Sequence, residues 1–372
     1  MSVSPLSVTR STLHCFLWQV SSAPVDPITH VLLGASASYA FWGRKLGRTA
    51  ALAGGFAAFV PDGDVLIRSA ADPLIAIEYH RGFTHALAFA PVSAAIVAAF
   101  WLIRPSWRNR TRWLTLWATC TFATVTHCLL DSATSYGTQL FWPFSRHRVG
   151  WDWISIIDPV FTGALLIGLV GALVRQRLRP AIIALLFGAG YITLGSLQHT
   201  RALNAQYTLA VSRGHVVERA EVMPTLGNTI IWRALYEHAG HVYSDRIRVG
   251  WFSAPEVREG WSVPLVNASD LNAAERARDT RESFARFAWF SDDWVARSPA
   301  DPSVLADMRY SLSTAAFDPI WGIRFTPLGE STEILWVNRS RDRKVDPREL
   351  WNEIVGRDPK FHPLPKLPSN GI

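Results

Sequence analysis

The sequence has few cysteines, and their arrangement excludes two common uses of that residue. Only three occur in 372 residues. Cys15, Cys120 and Cys128 form no C-x-x-C pair, and two of them lie in one apolar segment. A disulfide framework or a thiolate zinc site is built from paired cysteines at characteristic spacings. Neither is therefore expected here.

Familiar catalytic motifs are also missing. The chain contains no G-x-S-x-G, no H-E-x-x-H, no Walker loop and no G-x-G-x-x-G before a predicted helix. The formal net charge is +7, but no long basic stripe or recognition motif accompanies it. We therefore expect no nucleic-acid partner. Much of the positive charge lies in short arginine-rich stretches between apolar segments, as is typical of membrane proteins.

Long apolar segments are what the sequence does have. Hydrophobic residues make up 49% of the chain, although 18% of its residues are charged. The segments predict a mainly α fold, a polytopic helical membrane domain of about six apolar helices followed by a small α+β soluble domain. A soluble helical core is the alternative. The six predicted spans are residues 28–42, 50–67, 84–103, 113–130, 160–174 and 181–197.

Three regions follow from this reading. Residues 1–24 are an N-terminal extension that loosely resembles a signal peptide. Residues 25–200 form the membrane-embedded domain, and residues 201–372 form the soluble extramembrane domain with an extended C-terminal tail. Alternating and aromatic stretches in the last region predict strands at residues 229–235, 246–252, 284–290 and 333–337.

Arginine-rich loops follow the first, third and fifth predicted spans, which places these loops in the cytoplasm. The chain is then a multi-pass protein of a bacterial inner membrane. A set of His and Asp residues lies at the opposite ends of the spans. We therefore expect this set, and the C-terminal domain, on the non-cytoplasmic side.

Six His and Asp residues form the main predicted metal site. His127 and Asp131 are four apart on a predicted helix and share one face. Asp62 and Asp64 flank Gly63 in a turn, and two histidines bracket a bend at a helix start. A helix cap, an ordinary turn and an interfacial histidine are the bland alternatives. The six predicted ligands are Asp62, Asp64, His80, His85, His127 and Asp131.

Five further residues are assigned with less support. His30 is a candidate seventh ligand, although Asp26 or Thr29 before it could simply cap a helix. Asp152 or Asp158 could act as general base, but Asp158 before Pro159 also fits an N-cap. Arg81 and Arg146 could hold a substrate phosphate, because a guanidinium matches its oxygens.

The motifs D-P-I-T-H, P-D-G-D, H-R-G-F-T-H, H-C-L-L-D-S-A-T-S-Y-G and D-W-I-S-I-I-D-P, in this order, resemble the YdjM-type family of predicted inner-membrane metal-dependent hydrolases. The resemblance covers about residues 25–200. There is also a distant similarity to zinc-dependent phospholipase C and related single-strand nucleases, whose H-x-x-x-D element His127 and Asp131 match. Their later histidine ligands have no clear counterpart. The resemblance implies one or more divalent metals, zinc above all.

The leading hypothesis is a membrane-bound hydrolase in which a metal-activated water attacks an ester, a lipid or lipid-linked phosphoester being the expected class. The expected partners are the bilayer and that substrate. The first alternative is a non-enzymatic membrane transporter or metal-binding assembly factor, since buried His and Asp pairs also relay ions and protons. A soluble nucleic-acid hydrolase is the second alternative.

Overall fold

The computed structural model describes residues 26–272, 278–312, 317–328, 331–342 and 346–365. The predicted N-terminal extension, residues 1–24, lies outside the described residues. The first described helix, α1 (Pro27–Leu46), begins where the Asp26 side chain accepts a hydrogen bond from the Thr29 backbone N–H, with proline at its first position. It ends at Gly47, whose φ of 59° is readily adopted by glycine.

Small residues bring the first two helices into close contact. Helix α2 (Arg48–Phe59) folds back on α1, and a Cβ at Gly34 would overlap the Ala58 side chain. A Cβ at Gly54 would likewise overlap Ser38. Glycine and alanine at these positions let the two backbones approach closely. The contact fixes the end of α2, where the polypeptide turns towards the candidate site.

Five more helices complete the N-terminal region. The central one, α5, packs against α1, α2 and α4, while α6 and α7 pack against each other and against α1. Short 3₁₀ turns at Val60–Leu66 and Phe83–His85 flank the six-residue helix α3. The five are α3 (Leu74–Tyr79), α4 (Ala90–Phe100), α5 (Arg110–Ser132), α6 (Pro159–Arg175) and α7 (Arg179–Ser212).

The prediction of about six membrane-spanning helices is wrong. Among the described helices, two are long and apolar enough to cross a membrane, namely α5 and α7. A third crossing would require Leu74–His85 and Ala90–Ile103, which meet at 78°, to act as one broken span. The 12 residues of α2 reach only about 18 Å, short of the roughly 30 Å hydrocarbon core.

The predicted number of spans was too high because small apolar residues occur both in membrane-spanning helices and in helices packed against protein. The sequence alone does not distinguish the two cases. The alanines of α2 face its neighbours: Ala50, Ala53 and Ala57 are completely buried. Helix α1 also buries polar side chains, including Ser36 and Ser38. The small residues of these helices therefore serve helix–helix packing, and they raise the apolar content of the sequence without lengthening either helix.

The C-terminal part contains two antiparallel sheets, in agreement with the predicted α+β domain. The first has the order β1-β2-β3-β4-β9, and the second has the order β5-β6-β7-β8. The predicted strand at residues 284–290 is instead the end of helix α8 (Arg278–Phe290). The strands are β1 (Arg219–Pro224), β2 (Ile231–His238), β3 (His241–Arg248), β4 (Glu256–Pro264), β5 (Val295–Ser298), β6 (Asp301–Asp307), β7 (Trp321–Leu328), β8 (Ser331–Asn338) and β9 (His362–Pro363), and helix α9 is Pro347–Ile354.

Helices α7 and α3 both contribute to the contact between the C-terminal part and the N-terminal helices. Helix α7 continues through the predicted boundary at residue 200, and its last turns pack Ala202 and Leu209 against Trp232 of the first sheet. The second contact joins α3 to α8. Leu74 and its neighbours share an apolar core with α8, and Arg286 forms ion pairs with Asp72 and Glu78.

Candidate metal centre

Four buried side chains from three separate segments meet at one point. Asp62 comes from the 3₁₀ turn after α2, and His85 ends the second 3₁₀ turn. His127 and Asp131 project from the last turns of α5. One ligand atom from each lies within 4.8 Å of the other three, and all four residues are buried. We call these four residues the cluster.

The distances within the cluster match the separations between ligands of a small metal ion. Asp131 Oδ2 lies 3.1 Å from His85 Nε2 and 3.3 Å from His127 Nε2. Asp62 Oδ1 lies 3.6 Å and 3.8 Å from the same two nitrogens. Ligands at Zn–N and Zn–O bond lengths in a tetrahedral site are separated by about 3.3 Å. The cluster is therefore close to the size of such a site.

The unpaired atoms of the cluster supply an independent test of fit. Within the described part of the chain, Nε2 of His85 and of His127 and Oδ2 of Asp62 and of Asp131 make no hydrogen bond. Leaving buried polar atoms unpaired is costly, and an unpaired carboxylate is the costliest. Two carboxylates and two imidazoles are also ligands that divalent transition metals accept. The residues fit a bound divalent cation.

Asp64 lies behind His85 and orients it. Its Oδ2 is 3.2 Å from His85 Nδ1, while Nε2 of the same ring faces the cluster. Asp64 also accepts hydrogen bonds from Arg81 N at 2.8 Å and Thr84 Oγ1 at 3.0 Å. Burial alone would raise the Asp64 pKa, but His85 and His80 together outweigh burial and bring this pKa well below its usual range. A carboxylate behind a ligating histidine fixes the ring and its tautomer.

His80 belongs to this supporting layer and not to the cluster. Its Nδ1 lies 2.9 Å from Asp64 Oδ1, and its ring packs at 5.1 Å on Tyr136. Asp64 and His80, both predicted as ligands, are thus next to the cluster but outside the group of four. Their assignment as ligands stays a prediction, while the geometry gives them supporting contacts.

His30 and Arg81 hold the second oxygen of Asp131. His30 Nε2 lies 3.1 Å from Asp131 Oδ1, and Arg81 Nη2 lies 2.8 Å from the same atom. The His30 ring also lies 3.9 Å from that of His127. Arg81 donates through Nη1 to Thr134 Oγ1 at 2.8 Å and is 3% exposed. Its guanidinium is thus engaged by the protein, and its predicted role at phosphate remains untested.

The two predicted general bases lie in other surroundings. The Asp158 carboxylate caps α6, accepting from the N–H groups of Val160 and Phe161 and from the Tyr191 hydroxyl. Asp152 is buried with a φ of 56°, and burial raises its pKa to about 7. Neither is among the four grouped residues, and their catalytic assignment stays a prediction.

The partly buried Glu221 interacts electrostatically with Asp152 across the junction between the two parts of the chain. Glu221 lies on β1 of the first sheet, and burial, with the Asp152 charge as the next cause, raises its pKa to about 8. Within the described residues, Asp152 Oδ1 and Glu221 Oε2 are buried without a hydrogen-bond partner. We call Asp152 and Glu221 the acid pair.

Tyr136 and Arg148 are two contacts of the site that the sequence reading did not single out. The Tyr136 ring contacts both Arg81, whose guanidinium carbon is 5.1 Å from the ring centroid, and Arg148, at 5.2 Å. Among the described residues, Arg148 donates hydrogen bonds only to backbone carbonyls, including Gly137 O at 2.8 Å. Predicted Arg146 packs at 5.1 Å on Trp289 of α8 instead. Tyr136 lies within the quoted motif after His127, which was the one available signal.

Comparison with known proteins supports the resemblance drawn from the motifs. Residues 25–202 match the family model described as YdjM inner membrane protein, which confirms the predicted family resemblance. The uncharacterized protein YfhP of Bacillus subtilis is 35% identical over 100 residues, 27% of this chain and 29% of YfhP. The chain thus matches less than a third of that relative's length. No solved structure matches.

Proposed function

Starting from a YdjM-matched region that carries a buried Asp₂His₂ cluster, we propose that the protein is an inner-membrane metal-dependent hydrolase. Asp62, His85, His127 and Asp131 hold a divalent cation. The carrying observation is the convergence of four buried ligand side chains, each of which has at least one polar atom without a hydrogen-bond partner among the described residues. A donor set of two imidazoles and two carboxylates favours zinc, although manganese and iron accept the same ligands.

The chain's own residues prepare this site. Asp64 holds the His85 ring so that Nε2 points into the cluster. Arg81 and His30 hold one oxygen of Asp131, which leaves the other oxygen towards the two histidines. When bound, a divalent ion lowers the pKa of a coordinated water and polarises a scissile group.

An anionic ester at the membrane is the substrate class we propose, with a lipid or lipid-linked phosphoester first. Arg81 and Arg148 both lie against the Tyr136 ring, and Asp131 is the acidic group with which Arg81 pairs. Among the described residues, Arg148 bonds carbonyl oxygens and packs on aromatic rings, so its positive charge beside the site has no carboxylate partner there. A phosphoester would be attracted to this positive charge.

We further propose that the cluster and the C-terminal domain lie on the non-cytoplasmic side of the membrane. Trp153 N donates to Ala133 O, just after α5, at 2.9 Å, and Gly195 of α7 packs against Trp153 O. The C-terminal end of α5 is therefore level with the part of α7 that precedes the first sheet. Arginines precede or begin both helices at their opposite ends, which favours the cytoplasm there.

Metal content of detergent-purified, full-length protein tests the proposal. We expect about one equivalent of metal per chain at saturation, strongly reduced in His127→Ala with Asp131→Ala. His85→Gln is a milder second variant, and His238→Gln, on the surface of the first sheet, is the matched control. A wild-type protein that is folded and remains metal-free after supplementation contradicts the proposal. Phosphate release from lipid phosphoesters, before and after chelation, then tests hydrolysis.

One observation favours a non-enzymatic metal-binding or transport protein. His85, His127 and Asp131 are completely buried, whereas a catalytic metal site keeps one position open to substrate. Bound metal without hydrolysis of any lipid phosphoester, together with metal flux into proteoliposomes, would support this second candidate.

A further inference from the structure

Two exposed aromatic residues extend from the first sheet at the connection between β3 and β4. Phe252 is 100% exposed and Trp251 is 57% exposed. They lie in residues 249–255, which we call the aromatic loop. Large aromatic side chains left this open in a folded domain indicate an interaction surface.

The aromatic loop is held firmly by α7. Gln198 Nε2 donates to Val249 O at 2.7 Å. Arg201 Nη1 donates to Gly250 O at 2.8 Å, and its Nη2 donates to Ser253 O at 2.7 Å. A Cβ at Gly250 would overlap the Ser253 side chain, so the turn is tight. The backbone of the loop is thus fixed while its aromatic side chains remain exposed.

The point of attachment is where the apolar surface of α7 ends. Ile183 and Leu186 on this candidate span are more than 60% exposed, and Leu197 is 60% exposed. Arg201 is one turn beyond Leu197 on the same face, about 6 Å further along the helix axis. The interfacial layer beyond the hydrocarbon core is about 5–7 Å thick on each side. The aromatic loop therefore lies at the height of that layer.

We propose that the aromatic loop is a membrane-surface anchor, with Trp251 and Phe252 inserted among lipid headgroups beside α7. Continuity with the exposed apolar face of α7 favours lipid over a protein partner, because a bilayer that covers this face also reaches the loop. Aromatic side chains are enriched at this depth of a bilayer. The anchor involves no residue of the cluster, and it would fix the height of the first sheet above the membrane.

Trp261 supplies a matched control. It is 68% exposed on β4, where it pairs with Ser244 near the far end of the first sheet. That end of the sheet lies beside Arg213, which donates to Asp245 at 2.8 Å. Arg213 is 15 residues beyond Gln198, or about 22 Å along α7. Trp261 is therefore also well exposed, with an exposed fraction between those of Trp251 and Phe252, but it is far from the proposed bilayer surface.

The test places an environment-sensitive fluorophore on Phe252→Cys or Trp261→Cys in the full chain with Cys15→Ser. Each protein is reconstituted in phosphatidylcholine/phosphatidylglycerol nanodiscs with or without a headgroup-linked quencher. We expect several-fold stronger quenching at position 252 than at 261. Trp251→Cys replaces Phe252→Cys if that variant fails to fold.

Equal quenching at the two positions would overturn the anchor. So would a shift at position 252 that depends on protein concentration and not on lipid, because it would identify a second copy of the chain as the occupant. Labelling of the Cys15→Ser protein that carries no added cysteine measures the background signal from Cys120 and Cys128, which are buried.

Discussion

The cluster and the acid pair both bury carboxyl groups, but they reduce the cost of burial in different ways. The cluster combines two carboxylates with two imidazoles whose free atoms converge. The acid pair consists of two carboxyl groups, Asp152 and Glu221, whose pKa values burial raises to about 7 and 8 despite the nearby Arg309 charge. The first arrangement suits a cation, and the second retains protons. Burial alone therefore does not identify a metal site; the convergence of mixed ligands does.

The two regions should also respond to pH in opposite directions. Asp64 supports the cluster and has a pKa well below its usual range. Its contribution to the free energy of unfolding is therefore present above pH 4 and is lost on acidification. The acid pair has raised pKa values, so its contribution is complete below about pH 4 and falls as pH rises to 7 and 8. Four predictions test this contrast, from the largest effect to the smallest.

Replacing Asp131 with alanine should have the largest effect. The change leaves Arg81 and His30 without their shared carboxylate in a buried site. We expect a loss of about 3–5 kcal/mol of stability, as for other broken buried ion pairs. Thermal unfolding in detergent measures it, with the exposed Asp342→Ala as control. Equal unfolding temperatures for the two variants would show that Asp131 carries no such role.

Metal removal should distinguish the two regions most directly. A cation that binds only the folded cluster stabilises it by about 4 kcal/mol at 1,000 times its Kd. Chelation should therefore lower the Tm of the wild type and of Asp152→Asn alike, but should lower that of His85→Gln much less. A chelation response that survives in His85→Gln but disappears in Asp152→Asn would reverse our assignment of the two regions.

Asp64→Asn should weaken metal binding without abolishing it. The variant keeps a side chain behind His85 but removes the charge that fixes the ring. Loss of such a supporting carboxylate typically lowers metal affinity about 10- to 100-fold. Competition with a chromogenic chelator measures the affinity, and Asp72→Asn, which affects Arg286 instead, is the control. Complete loss of binding would make Asp64 a ligand, as the sequence predicted.

Asp152→Asn and Glu221→Gln should each stabilise the protein at pH 8 by at least about 1 kcal/mol, since a raised carboxyl pKa lowers the free energy of unfolding once the unfolded chain ionises. Both neutral side chains avoid the ionisation that the wild type undergoes as pH rises. The stability of each variant should therefore vary less between pH 4 and 8. Thermal unfolding at several pH values checks this, with Asp342→Asn as control; an unchanged slope would contradict the assigned pKa values.

The sequence predicted which residues lie near the site better than it predicted which of them face the cluster and which support it from behind. His127 and Asp131 could be paired because the four-residue spacing of a helix puts them on one face. Asp64 and Asp62 are two residues apart in one turn, and both were predicted as ligands. Which carboxylate faces the cluster and which faces the back of His85 depends on the turn's three-dimensional path. Spacing alone could not supply that distinction.

Neither the contacts between distant parts of the chain nor the number of membrane spans could be predicted from the sequence pattern. Glu221 and Asp152 are 69 positions apart and interact electrostatically only in the folded chain. The alanines of α2 resemble those of a membrane span, although they are packed against protein. Phe284–Phe290 alternates in a way that suits a strand, yet its aromatic residues lie on α8. Tertiary packing decided each of these cases.

The unbroken helix α7 has a mechanical consequence. Its 34 residues extend about 51 Å, some 20 Å more than the hydrocarbon core requires. The first sheet packs along that excess length, so a change in the tilt of α7 would move the sheet together with the helix. A change in tilt of 10° swings the far end of the excess by about 3–4 Å. A bilayer of different thickness that altered the tilt of α7 would therefore shift the first sheet relative to the membrane surface.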